Sequence, residues 1–338
     1  MREVRIGRGR AAALETTPAG PAGWLSLGRR LGSEVPRPGA GSTADLWSTL
    51  ATLGAADLQL ARAVEPHLDA LAILDEADAA GFDVSVGAEA TWGVFAAEGP
   101  GVRLEAERWG NGWLLNGTKP WCSLAGQLDR ALVTAWVDDR CRALFAVDLH
   151  APGVSAAAGP GAWSPRGLVD VVSLPVEMSD VPAEPVGPPE WYLRRDGFAW
   201  GGMGVAAVWY GGAVGVARRL AQPRGRERDQ VSHVHLGTAD ASLAAARALL
   251  AEAASAVDAG FAGGDDGASW ALRVRAVVAD ACEEVLRAAE HDLGPGPQVA
   301  EPDHAARLAD LRLYLRQHHA ERDLAALGRV VEDTGGSW

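Results

Sequence analysis

Residues 92–126, WGVFAAEGPGVRLEAERWGNGWLLNGTKPWCSLAG, constrain the fold more than any other stretch of the chain. Apolar and polar residues alternate there with the two-residue period of a pleated strand. The pattern predicts strands at 92–97, 102–108 and 112–116, with a further one at 132–137. Asn111-Gly112 predicts a hairpin turn, since both residues tolerate positive φ, and Asn116-Gly117 predicts a second. Trp121, Cys122 and Ser123 follow Lys119-Pro120, where proline removes a backbone donor and holds the chain extended. A wide aromatic face beside a hydroxyl on a rigid turn can pack against and hydrogen-bond a flat heterocycle. By residue type alone, a core Trp and a turn Ser in an ordinary hairpin is the alternative.

The sequence is helical on both sides of this stretch. Residues 1–40 hold two short helical candidates and the loop EVPRPGAGS, which ends in Ser42-Thr43 beside Asp45, a helix N-terminus signal. Leu46, Leu50, Leu53, Leu58, Leu60 and Val64 then recur at helical spacing. Pro66 suits the first turn of another helix, carrying Leu68, Leu71, Ile73 and Leu74. Beyond Asp129, the runs ALVTAWV, CRALFAV and VDVVSLPVEM alternate with polar or Gly/Pro-rich turns, which predicts a small antiparallel barrel or sandwich. From Trp191 onward helices return, at 198–221, 236–259, 268–291 and 303–328, joined by short Gly- and Pro-rich loops. The chain is therefore α+β. A helical domain (1–86) precedes a middle antiparallel β-domain (87–189) and a C-terminal four-helix bundle (190–338).

Several function classes are disfavoured. A net charge of −13 opposes nonspecific binding to nucleic acid or anionic membrane. No apolar run has the length of a membrane span, and MREVRIGRGRAAALE lacks the apolar core of a secretory signal. Cys122, Cys141 and Cys282 show no metal spacing, and the His residues form no HExxH motif. A reduced, cytoplasmic protein with no metal is expected. No GxGxxG follows a strand and opens a helix, which speaks against a Rossmann cofactor site.

The run from Gly112 through NGTKPWCSLAGQLD to Asp129 closely resembles the middle β-domain of the acyl-CoA dehydrogenase family, in which "GWxLNGTKxWITNAGxAD" occupies this place. HAPGVS and SDVPAEPVG resemble the family's strand lead-in and exit, and the order helices, β-domain, bundle is the family's own. The resemblance implies an FAD cofactor, with Trp121 against the flavin and Ser123 hydrogen-bonding the isoalloxazine, and with Cys122, Ala96 and Ala97 in the same site. Ala97-Glu98 stand where the family has Thr-Glu. Gly99-Pro100-Gly101 then passes to Val102 without the Gly-Ser-Asp that follows in the family. In the family the bundle contributes to a neighbouring subunit's FAD; there Arg226, flanked by Arg224 and Arg228, is the candidate for the pyrophosphate, and a solvated basic loop is the alternative. His291 replaces a Gln and Gly294 retains a Gly of the motif "QxxGGxG".

Asp310-Leu311-Arg312 resembles the family's "RDAR", and many members carry their catalytic Glu eight residues beyond that Asp. Here the count falls on His318. Other members place the Glu at the start of the first bundle helix, but Phe198-Ala199-Trp200 offers no carboxylate. His318 is thus the candidate base, with a polar helix face as the alternative for the tandem His318-His319. Glu65 and Asp69, four apart, share a helix face; a solvated face is the reading adopted here, and an active-site pair with shifted pKa values is the alternative. The resemblance implies an FAD-dependent oxidoreductase that desaturates an acyl thioester such as an acyl-CoA. A flavin monooxygenase of the same fold and a non-catalytic partner subunit are the competing functions. The Gly-rich helix at 198–221 and those after it are expected to bury a subunit interface, in a homo-oligomer or with a homologous subunit.

Overall fold

The computed structural model describes residues 1–84, 87, 89–156, 162–223 and 227–336. Three helices come first: α1 (Gly20–Glu34), α2 (Thr43–Ala56) and α3 (Leu58–Ala79). Residues 1–40 therefore hold one helix rather than two. Instead of a second helix, an irregular segment lies against α2, where the Val4 and Ile6 amides donate to the Thr52 and Ser48 hydroxyls, both at 2.9 Å. Helix α2 starts where Ser42-Thr43 predicts, but its cap comes from elsewhere. The Asp258 carboxylate accepts from the Thr43 amide at 3.0 Å and from its hydroxyl at 2.6 Å. Asp57 ends α2 and caps α3, accepting from the Gln59 and Leu60 amides at 2.8 and 3.2 Å. Pro66 consequently falls inside α3, not at its first turn. Having no N–H, it leaves the Arg62 carbonyl without its usual helical donor.

Seven strands follow: β1 (Trp92–Phe95), β2 (Leu104–Trp109), β3 (Gly112–Ser123), β4 (Arg130–Trp136), β5 (Arg142–Asp148), β6 (Val154–Ala156) and β7 (Ser173–Val186). Strands β4, β2, β3, β7 and β5 pair in that order, and β5 pairs back onto β4, which closes a small barrel. It is not wholly antiparallel, as the sequence suggested. Strand β1 runs parallel to β4 from Trp92↔Arg130 to Phe95↔Val133, and β2 meets the same edge at Glu105↔Trp136. The crossing segment between β1 and β2 keeps the two strands in the same direction along β4.

Both predicted turns are displaced. The β2–β3 hairpin pairs Trp109 with Gly112, so its two loop residues are Gly110 and Asn111, with Gly110 at φ +58°. Asn116-Gly117 lies inside β3, at a slip of register against β7. Gly117 has φ +114°, and a Cβ there would lie 2.2 Å from the Arg103 carbonyl oxygen. The extra residue at this slip is on β7, at Ser179-Asp180, with Asp180 at φ +53° and its amide donating to Asn116 Oδ1 at 2.8 Å. Asn116-Gly117 is the strand opposite that bulge rather than a turn, and only glycine fits at 117.

The rest is helical: α4 (Trp191–Arg194), α5 (Asp196–Ala221), α6 (Gln230–Asp258), α7 (Gly264–Leu293), α8 (Gly296–Ala300), α9 (Pro302–Tyr314) and α10 (Glu321–Thr334). The helix expected over 303–328 is broken. After α9 the backbone tightens to a 3-10 turn at Leu315–Gln317, and Ala320 adopts φ +45° before α10 begins. Helix α5 runs through the core, and its glycines work within the chain. A Cβ on Gly211 would lie 2.1 Å from the Ala51 carbonyl oxygen, and one on Gly54 would lie 2.4 Å from that of Val208. Backbones of α2 and α5 therefore touch, so this glycine face, expected at a subunit interface, is covered by α2 of the same chain. No described helix is long and apolar enough to cross a membrane.

This contact predicts opposite outcomes for two Gly→Ala changes. Gly237, within α6, has open space around it, so Gly237→Ala should stabilise by up to ~1 kcal/mol through helix propensity. Gly211→Ala carries the same propensity gain but pushes α2 away, and should cost about 1–3 kcal/mol in urea denaturation. Equal stabilisation by both would remove the α2–α5 backbone contact.

Candidate active site

Lys119 lies inside the barrel with 1% of its side chain exposed. Its ammonium donates to Glu98 Oε1 at 2.7 Å and to the Thr134 hydroxyl at 2.8 Å. Glu98 also receives Trp136 Nε1 at 3.2 Å and Arg142 Nη1 at 3.3 Å. Burial raises the Glu98 pKa, yet these donors outweigh it and hold the carboxyl below its ordinary range. The cluster ties the segment after β1, which contains Ala96 and Ala97, to the middle of β3.

Just past this anchor, β3 slips register between Lys119 and Cys122. Trp121 sits in the slip at φ +58° with 59% of its surface exposed. A left-handed backbone at a bulky aromatic costs on the order of 1–3 kcal/mol and tends to mark functional positions. The bulge turns the Trp121 ring outward and Cys122 inward. The Cys122 thiol donates to the Lys119 carbonyl at 3.2 Å, and burial pushes its pKa up to about 12. That thiol is inert and faces the barrel core, away from the surface that the sequence assigned to a cofactor. The Ser123 hydroxyl shares a 2.7 Å hydrogen bond with Ser173 and accepts Arg62 Nη2 at 3.1 Å.

Arg62 connects this surface to a cavity of about 760 Å³ enclosed by α3, the end of β1, α4, α5, α7 and the turn before α10. Ala96 and Ala97 line it, as do Arg62, Pro66 and Val94, which also flank Ser123. Glu65 and Asp69 face it from α3. Glu65 is 8% exposed, and no hydrogen bond or ion pair to its carboxylate forms among the described residues. Burial raises its pKa to about 7, with Arg62 opposing the shift, Asp69 adding to it and Arg275 opposing. Asp69 is also raised by burial, against the pull of Arg195, whose nearest approach is 3.9 Å. The solvated face expected for this pair is thus corrected: both carboxylates stand in a cavity wall. Sequence held the signal. Glu65 interrupts the buried stripe Ala61, Val64, Leu68, Ala72, whose helical spacing puts it on the inner face of α3.

The other anticipated residues do not converge here. His318 is absent from the cavity wall. The count from Asp310 presumed an unbroken helix, whereas the chain leaves helical geometry after Tyr314 and His318 is extended. Its ring meets Trp209 edge-on at 6.4 Å, and Nε2 is buried without a hydrogen bond. Burial lowers its pKa, with Asp323 opposing at 3.8 Å. The neighbouring His319 lines the cavity, its amide donating to Asp323 at 3.1 Å. His291, exposed near the end of α7, lies 5.7 Å from His235, and Gly294 caps that helix at φ +66°. Neither borders the cavity. Arg226 and Arg224 lie outside the described residues; Arg228 donates to the Leu220 carbonyl at 2.7 Å and lies 3.5 Å from Asp292. Arg275 escaped sequence analysis. Buried beside the cavity, it donates to the Gly202 and Gln317 carbonyls at 3.0 and 2.7 Å and lies over the Trp209 ring.

No protein-family model and no curated protein matches the chain. Solved structures do. KijD3, in complex with FMN and dTDP-3-amino-2,3,6-trideoxy-4-keto-3-methyl-D-glucose, gives a TM-score of 0.77 at 19% identity, over 93% of this chain and 86% of its own. A nitrososynthase from Micromonospora carbonacea var. africana gives 0.73 at 20% identity, over 93% and 88%. The dibenzothiophene monooxygenase TdsC from Paenibacillus sp. A11-2, with FMN and indole, gives 0.71 at 17%, over 91% and 94%. At these identities the likeness is one of fold, which the chain shares along nearly its whole length.

An unpartnered buried carboxyl has a stability signature. At pH values below its ordinary 4.5, Glu65 is protonated in folded and unfolded chains alike and costs nothing. As pH rises from there through about 7, the unfolded chain ionises first and the folded state loses stability. Glu65→Gln should therefore match the parent near pH 4 and exceed it by up to about 3 kcal/mol at pH 8, measured by urea denaturation. A variant that is less stable at pH 8 would mean the carboxylate has a stabilising partner.

Proposed function

We propose that the protein is a flavin-dependent oxidoreductase, with the flavin ring against Trp121 and Ser123 and the substrate in the adjoining cavity. The observation that carries this is Trp121, a large ring turned outward at φ +58° beside the Ser123 hydroxyl, on a strand otherwise packed into a barrel. The residues suit a flavin: an aromatic face for the ring system, and a hydroxyl for a heteroatom on its edge. When bound, flavin supplies two-electron oxidation chemistry. The chain supplies the rest. Lys119 and Glu98 hold the bulge, Trp121 excludes water from one side, and Glu65 can hold or release a proton at a carboxylate oxygen near neutral pH.

The complexes of KijD3 and TdsC contain FMN, which supports a flavin here. FMN is the form we favour over FAD, because FMN is the flavin in both of those complexes. An FAD would draw on a second subunit, for which the exposed apolar residues of α10, such as Leu324, are a candidate surface.

Between the two enzyme readings, we favour oxygen-dependent monooxygenation over desaturation of an acyl thioester. Neither position at which the family carries its glutamate holds a carboxylate in this chain, and His318, which stands at one of them, faces Trp209 rather than the cavity. TdsC, a monooxygenase, shares the fold. A purely non-catalytic subunit would have no use for a carboxyl buried in a cavity wall against its own stability.

Two measurements follow. In fluorescence titrations with FMN and with FAD, Trp121→Ala should weaken flavin binding about tenfold or more, and Ser123→Ala about two- to tenfold, the worth of one neutral hydrogen bond. Unchanged affinity in both variants returns this stretch to ordinary packing. Under anaerobic conditions, the flavin-loaded protein should stay oxidised with octanoyl-CoA; rapid bleaching would restore the desaturase.

A further inference from the structure

The cavity holds eleven charged or titratable side chains in its wall, and most are already engaged by the protein. Arg195 donates to Glu76 at 2.7 Å. Arg275 is bound to two backbone carbonyls and Arg62 to Ser123. Asp196 accepts from the Gly264 amide at 2.7 Å, and Asp323 from the His319 amide. Arg194 and Asp265 are exposed at the margin. Among the described residues Glu65 has no hydrogen bond, and Asp69 has only the 3.9 Å approach of Arg195. Open donors remain, since Arg195 Nε has no partner among the described residues and Arg62 donates only to Ser123, but the two acidic groups left without a close partner stand together on one turn of α3.

We propose that Glu65 and Asp69 form a binding site for the amino group of the substrate, which is an amine carrying a positive charge when it enters. The chemistry of complementarity leads there. A ligand carboxylate placed on this turn of α3 would meet two carboxyl groups and be repelled as they ionise. An alkylammonium brings three donors and the counter-charge that two neighbouring carboxylates lack. The cavity's remaining wall is largely apolar, with Val94, Ala96, Phe198, Val205, Ala271 and Leu272, and suits the carbon skeleton.

The groups around the pair fix the sign of its pH response. Glu65 faces Arg62 and Asp69 on its own helix, Arg275 from α7 and Tyr314 from α9, whose buried hydroxyl also has no partner. Asp69 faces Arg195 and Tyr192 from α4 and its C-terminal end, and Glu76 along α3. Gln317, His319 and Asp323 close the side near α10. Burial raises both carboxyls, Glu65 to about 7, and Glu65 must ionise to receive a cation. Amine affinity accordingly rises with pH through about 7, the reverse of an anion site.

This substrate class rests on the oxidoreductase reading for its chemistry, but the binding site does not, and the test separates them. Isothermal titration of the full chain, with and without FMN, uses n-hexylamine against n-hexanol and hexanoate. At pH 8, hexylammonium should bind at least about tenfold tighter than either, and about tenfold tighter than it does at pH 5.5. Glu65→Gln and Asp69→Asn should each lose most of that preference, and Glu65→Gln should remain folded because no hydrogen bond is lost. Equal or tighter binding of hexanoate or hexanol, no measurable hexylammonium binding, or a preference that survives both substitutions would overturn the proposal. FMN absorbance followed in the same samples keeps the two readings apart. Flavin bound without amine preference sinks the amine site alone, and amine preference without flavin binding sinks the oxidoreductase alone.

Discussion

The ion pair between Lys119 and Glu98 is the constraint from which the site descends. An ammonium taken fully into a barrel costs several kcal/mol in lost hydration, and only close partners offset it. Here the offset comes from Glu98 and the Thr134 hydroxyl, and Glu98 is in turn satisfied by Trp136 and Arg142. Burial lowers the Lys119 pKa while Glu98 pulls it back up, so the pair stays charged at the cost of being unable to move. Because Lys119 cannot shift, the extra residue that β3 carries must be accommodated immediately after it. That is why the bulge falls at Pro120-Trp121 and turns one ring outward. The same pair fixes Ala96 and Ala97, so both sides of the site are set by one interaction.

Helix α3 plays the complementary part, and it is built against its own stability. A helix packed on two layers would ordinarily carry apolar side chains all along its inner stripe. At Glu65 it instead carries a carboxyl with no hydrogen-bond partner among the described residues, and Pro66 opens the backbone ladder next to it. Each feature costs free energy that the fold recovers elsewhere. The firm anchors are nearby: Asp57 caps the helix, and His67, held neutral by burial with its pKa lowered to about 4, accepts the Trp92 amide at 3.2 Å. Anchors on either side of a destabilised turn are what a preorganised binding site requires.

Much of this was visible in the sequence, and the failures have physical causes. Strict alternation placed β1 to β4, since a period of two is dictated by the pleat. Trp121 and Ser123 could be picked out from residue type and flanking motif, because the bulge is local. Asn116-Gly117 misled because a glycine at positive φ serves a strand facing a bulge as well as a turn, and what decides between them, the extra residue of β7 and the close approach of Arg103, lies far away in sequence. Pro66 misled because a cap eight residues earlier, at Asp57–Leu58, outweighed the preference of proline for a first turn. His318 was placed by counting along a helix that ends after Tyr314. Glu65 was passed over as surface because charge was weighed ahead of position, although its stripe of buried neighbours was there to be seen.

The glycines of α5 show how one helix can both close a core and open a cavity. Toward its C-terminal half, Gly211 and Gly54 bring α5 and α2 into backbone contact, with no room for a side chain between them. Toward its N-terminal half, Gly201 faces Asp69: a Cβ there would lie 2.8 Å from Asp69 Oδ1. Gly202 offers its carbonyl to Arg275. Tight contact at one end fixes the axis of α5 relative to α3, and missing side chains at the other leave the space in which the carboxylates stand. A bulkier residue at 201 would displace Asp69 rather than α5, because α5 is clamped ten residues further on. The volume of the cavity and the placement of its acidic pair thus follow from a single spacing of small residues along one buried helix.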